Sequence, residues 1–183
     1  MAQYWFMLAV AMTVCSAQLN ERCYHEGSVL EISDFKGTAP TKTNVVAITV
    51  SSIQCEYLFC DEYEAKLRIS NCFDKNLSWW SAKRDTIRVL NHEQRHWDIT
   101  EIHARRLRQK LKNIQLTFEE RNESIRDLHK RAMAEADEMQ KLYDLETDHY
   151  NNFEMQTRWD RKIDSMLQEL DEWKDEELEI EFL

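Results

Sequence analysis

The spacing of hydrophobic positions changes once along this chain, near residue 83. Upstream they alternate. In residues 44–53, Val46, Ile48 and Val50 alternate with smaller or polar neighbours. In residues 62–72, Tyr63, Ala65, Leu67 and Ile69 alternate with Glu64, Lys66, Arg68 and Ser70. A period of two with one polar side predicts an antiparallel pair of strands, one face in water. Residues 28–32 predict a further short strand. Asp34-Phe35-Lys36-Gly37, followed by Pro40, predicts a turn and loop.

Downstream the spacing is helical. Over residues 84–112, Ile87, Leu90, Trp97, Ile99, Ile102, Leu107 and Leu111 recur mostly at three- to five-residue steps, without Gly or Pro. A second helix is predicted from about residue 118 to 145, with Thr117 as N-cap and Glu120 as its capping-box partner. A third is predicted over 151–170. The stretch 169–183 carries eight acidic residues and one lysine, which predicts a solvated or frayed helix end. Its Leu170, Trp173, Leu178, Ile180 and Phe182 leave a docking role open. The fold class expected is α+β: a small antiparallel sheet, then two or three long helices.

Composition narrows the setting. With 183 residues, 43% of them hydrophobic, and only two Gly and one Pro, the chain predicts one core and no linker. A net charge of −10 argues against nucleic acid and against anionic lipid as partners. Residues 1–17 are nearly all apolar from Tyr4 and end in Cys15-Ser16-Ala17, which reads as a signal peptide cleaved near Ala17. The mature domain would be 18–183, secreted or periplasmic, without a membrane span. Four cysteines survive cleavage: Cys23, Cys55, Cys60 and Cys72. In an exported chain they predict two disulfides of unspecified connectivity, a stronger reading than a Cys₄ zinc site.

Only one stretch spells out a chemistry. His92-Glu93-Gln94-Arg95-His96 matches the H-E-x-x-H pattern of zinc peptidases. Residues four apart share one helix face, so two imidazoles can grip one Zn²⁺. Glu93 lies beside them, placed to take a proton from water. A catalytic site needs a third protein ligand. His25 is far from any helix, His103 is two turns away on the same helix, and His129 reads as a surface residue. His149 and Glu146 remain. In a helical hairpin turning near residues 113–117, His149 overshoots the motif by roughly three turns unless the second helix bends or ends early.

Residues 90–99, Leu-Asn-His-Glu-Gln-Arg-His-Trp-Asp-Ile, resemble the signature of a family of secreted bacterial proteins. That family is catalogued as a domain of unknown function and regarded as zinc-dependent proteases. Ala104-Arg105-Arg106-Leu107, the turn at Asp34 to Gly37, the segment from Phe73 through Ser78 to Trp79, and Tyr143, Asp144, Thr147 and His149 match further pieces. The resemblance spans roughly residues 28 to 165. It implies His149 as third ligand, with Glu146 as the alternative. Arg95 and Tyr150 stand where the family often has Gly, which adds bulk near the site.

The expectation is an exported, zincin-like zinc metallopeptidase acting on peptide or protein substrates. His92, His96 and His149 would hold Zn²⁺ and Glu93 would be the general base. Asp144, Asp98 or Asp148 would orient a ligand imidazole, and Tyr143 or Tyr150 would donate to the oxyanion. The alternative is a secreted, non-catalytic helical binding protein that keeps a structural zinc.

Overall fold

The computed structural model describes residues 20–183, so the expected signal peptide and Cys15 lie outside the described residues. The architecture is α+β. Strands β1 (Glu21–Cys23), β2 (Ala47–Ile48), β3 (Ser51–Cys60), β4 (Glu64–Asp74) and β5 (Trp79–Trp80) precede helices α1 (Thr86–Asn113), α2 (Arg121–Thr147) and α3 (Phe153–Glu169). Strand β6 (Glu177–Glu181) follows. β4 pairs antiparallel with β3 along one edge, and with β1 and β6 end to end along the other. β2 and β5 form a separate two-stranded sheet.

The alternation in β4 does what its period implies. Ala65, Leu67 and Ile69 turn inward and are buried, while Tyr63, just before the strand, stays exposed. From Ser70 to Phe73 both faces are covered, because Trp97, Leu30 and Phe35 pack on the second side.

Helix α1 is central. On one side Ala104, Leu107 and Leu111 meet Ile53, Leu67 and Ile69 of the sheet. On the other, Ile99 and Ile102 meet Tyr143, Trp159 and Ile163 of α2 and α3. A helix covered on both sides needs no narrow apolar stripe, which accounts for the irregular steps of its sequence.

The structure departs from the sequence reading at several places. Residues 28–32 form no strand. A short 3-10 turn, Ile32–Asp34, follows them, with Asp34 tied to Arg22 at 2.5 Å and Lys75 at 3.3 Å. The expected strand over 44–53 divides into β2 and the start of β3, because Thr49 leaves the strand to donate to the Glu93 carbonyl. Thr117 and Glu120 do pair, at 2.9 Å, but in a turn ahead of α2.

The acidic tail is no frayed helix. Its apolar residues alternate, so it adds to β4 as a strand, with Ile180 buried and Glu177 paired to Lys66 and Arg68. Arg108, 1% exposed, holds the segment before β6 by donating to the carbonyls of Trp173 and Lys174, while also bonding Ile69 and Glu101.

Gly37 marks a close approach. A Cβ there would lie 2.6 Å from the Asn76 carbonyl and 2.7 Å from that of Ser78, so no larger residue fits. Cys23 and Cys72 face each other across β1 and β4 and form a disulfide. The second expected disulfide is absent. Cys55 and Cys60 are free thiols on β3, five residues and so about 16 Å apart along the strand, beyond bridging distance. Among the described residues, no helix is long and apolar enough to cross a membrane.

Candidate metal centre

The i, i+4 spacing on α1 brings the Nε2 atoms of His92 and His96 to 3.3 Å from each other. Each ring is fixed from behind by a glutamine. His92 Nδ1 lies 3.1 Å from Oε1 of Gln156 on α3, and His96 Nδ1 lies 2.7 Å from Oε1 of Gln140 on α2. The glutamine amides are oriented in turn. Gln156 donates to the Tyr143 hydroxyl and to Asp160, and Gln140 donates to Thr100. An amide oxygen only accepts, so each Nδ1 carries the proton and each Nε2 offers a lone pair inward. His92 also stacks on Tyr143, ring centres 4.6 Å apart.

Asp144 completes the convergence. Its Oδ1 lies 3.0 Å from His92 Nε2, 3.1 Å from His96 Nε2 and 3.4 Å from His149 Nδ1. Burial alone would raise the Asp144 carboxyl, but the imidazoles of His92 and His96 against its Oδ1 outweigh that and hold the group well below the carboxylate range. Burial would likewise lower the His96 imidazole, and Asp144 and Glu93 outweigh that and raise it. The site thus concentrates negative charge around lone pairs, an environment that favours a cation.

Zinc fits this donor set. Ligands at ~2.0–2.1 Å in a tetrahedron stand about 3.3 Å from one another. The separations observed between His92, His96 and Asp144 run from 3.0 to 3.3 Å. Imidazole and carboxylate donors with hydrogen-bonded rear atoms are the usual zinc arrangement.

Glu93 projects beside them. It is 5% exposed, lines the same cleft as His96, Asp144 and His149, and its Oε2 is buried with no hydrogen-bond partner. Buried carboxylate oxygens rarely go unpartnered, and the charge of Glu93 acts on His96.

His149 reaches the centre although α2 does not end early. α2 ends at Thr147, and Asp148, His149 and Tyr150 are all left-handed, with φ of 49°, 47° and 71°. The overshoot is absent because the connection from α1 to α2 takes residues 114–120, so that Asp144, still on α2, already lies at His92 and His96. The left-handed turn then brings His149 back over the helix end to Asp144. The left-handed backbone at Tyr150 also explains why glycine suits that place in the resembling family.

Other expected residues lie elsewhere. Glu146 is engaged elsewhere, its Oε2 accepting from Trp159 Nε1 at 2.7 Å. Tyr143 is buried, its hydroxyl engaged by Gln156 and the His92 carbonyl, so it positions a ring rather than serving an oxyanion. Tyr150 stands edge-on to His92 at 6.1 Å. Asp98 binds Tyr24, Gln94 and Arg95, not a ligand ring. Asp148 is the C-cap of α2.

Arg95 faces α3, paired with Asp98, Asp160 and Asp164, and leaves the cleft clear. His129 is half-buried, and its Nε2 sits 2.6 Å from the Ile53 carbonyl. His25 is exposed, far from the centre.

Sequence reasoning treated Asp144 only as a support for a ligand ring and missed Gln140 and Gln156. The hairpin geometry carried a signal for the first two, because three turns before His149 falls near residue 140. Gln156 had none, since α3 was not placed relative to the motif.

No curated protein and no solved structure matches the chain. The family resemblance does find a counterpart over the segment that carries every candidate ligand. Residues 72–150 match the family model described as a bacterial protein of unknown function, DUF922.

Proposed function

We propose that the protein is an exported zinc-dependent peptidase. One observation supports this reading above the others: two inward imidazole nitrogens and a carboxylate oxygen converge beside a buried, unpartnered Glu93 oxygen. In this reading His92, His96 and Asp144 hold the ion, and His149, 3.4 Å from Asp144, is a fourth donor that can come and go.

Zinc in such a site polarises a carbonyl and lowers the pKa of water toward ~7. Gln140 and Gln156 keep both rings in the tautomer that presents Nε2. Glu93 Oε2 accepts the proton from the attacking water and passes it to the leaving amine.

The test is Glu93→Gln. It should keep near-stoichiometric zinc and the wild-type circular dichroism spectrum while losing ~10²–10⁴-fold in peptide hydrolysis. Equal hydrolysis by wild type and variant would remove Glu93 from the mechanism.

A second reading rests on the number of donors. Four protein ligands would close the site, as structural zinc sites are closed. A wild-type protein with one tightly held zinc and no hydrolysis of any unfolded protein would favour that reading.

A further inference from the structure

The metal centre opens into a cleft of about 420 Å³, within the range of ligand-binding clefts. One wall is the extended segment running from Val45 through β2 to Ser51, and the other is the face of α2 that carries Met133, Ala136 and Gln140. Thr49 ties the extended wall to the motif helix through the Glu93 carbonyl, so it is held in register with the proposed general base.

The chemistry of the lining is selective. Val45 and Ile48, 44% and 38% exposed, line the cleft with apolar surface left open to it. Ala136 is buried and small, and Met133 beside it is fixed by a contact between its sulfur and the Ile53 amide. The polar groups at the floor satisfy one another: Ser51 Oγ meets Thr100 Oγ1 at 2.7 Å, and Gln140 donates to Thr100. The charged pair on α2, Asp137 and Lys141, is neutralised internally at 2.5 Å. Away from the metal centre itself, where Glu93, His96, Asp144 and His149 gather, nothing in the lining calls for a charged side chain. A strand-like wall accepts an extended chain alongside it.

We propose that this cleft takes one extended peptide segment, with an uncharged apolar side chain lodged against Met133 and Ala136 beside Glu93. The residues that set this preference are Val45, Ile48, Met133 and Ala136. The inference rests on the peptidase reading for the fate of the peptide, but not for its binding.

Fluorophore-labelled octapeptides of Gly and Ser, with Leu, Phe, Lys or Glu at the fifth position, provide the test. Binding is read by anisotropy on zinc-loaded Glu93→Gln, and hydrolysis on wild type. The Leu peptide should bind at least about tenfold tighter than the Lys and Glu peptides, the effect of burying one apolar side chain. Ala136→Phe should abolish that preference by filling the floor. Ile48→Ser, at an exposed position where folding is not at stake, should weaken Leu binding several-fold.

Equal binding of the peptides, a preference for Lys or Glu, or no binding at millimolar concentration would overturn the proposal. Selective binding of Leu without its hydrolysis by wild type would leave this inference standing and sink the peptidase reading. Hydrolysis without preference would do the reverse.

Discussion

Asp144 is the residue on which the metal assignment turns. Its Oδ1 touches three imidazole nitrogens, at 3.0, 3.1 and 3.4 Å. His149 touches only Asp144 among these groups, and its side chain is 65% exposed on a left-handed loop. Structural zinc sites are worth ~10–16 kcal/mol over four ligands, or about 3 kcal/mol for each well-held ligand. Asp144→Ala should therefore weaken zinc binding by ~10²–10³-fold. His149→Ala should weaken it by no more than ~10-fold, the low end of effects from groups around a metal.

Competition with a chromophoric chelator measures both constants. Circular dichroism checks that each variant is folded. If Asp144→Ala stays within threefold of wild type while His149→Ala loses a hundredfold, Asp144 is a support and the ligand set is the three histidines.

Three further outcomes follow from the fold. Replacing both Cys23 and Cys72 with serine opens a cross-link of 49 residues and should cost about 4 kcal/mol in denaturant unfolding, by the loop-entropy relation. Burial pushes the His103 imidazole down to about 4, below its unfolded value near 6.5. The unfolded chain therefore takes up a proton that the folded one refuses, and stability falls as pH drops between those values. From pH 7 to 4.5 this group should cost about 2 kcal/mol, and urea titrations of His103→Leu should lack that loss. Arg95→Ala leaves the buried Asp98 carboxylate without its cation and should destabilise by about 3 kcal/mol, while zinc stoichiometry stays at the wild-type value.

How much was legible in the sequence depended on whether the signal was local. The motif helix and its two histidines could be read because i, i+4 geometry needs no partner. α2 and α3 could be read for the same reason, within a few residues at their ends. The small sheet was partly legible: β4 showed a clean period of two, whereas the break at Thr49 depends on a bond to Glu93, 44 residues away. The tail misled because its charge suggested solvent. Its strand forms only where Lys66, Arg68 and Arg108 neutralise the acids and receive the carbonyls. The roles of Asp144, Gln140 and Gln156 were hidden because each depends on how three helices sit together. The direction of Arg95 was hidden too, since the acids that draw it toward α3 are 65 and 69 residues further on.

The strand β6 also sets an order of events. It closes the outer edge of β4 across 109 residues of sequence, counted at the Arg68 to Glu177 bond. Until residues 176–181 have been made, half of that edge is an open row of peptide groups flanked by Ala65, Leu67 and Ile69. An open, apolar edge of this kind recruits other chains. A growing chain could build the hairpin of β3 and β4, and even α1, with this hazard still exposed. Contacts at such separation also slow folding. The half of β4 that β6 covers is thus the stretch of this fold most exposed to mispairing before residues 176–181 are in place.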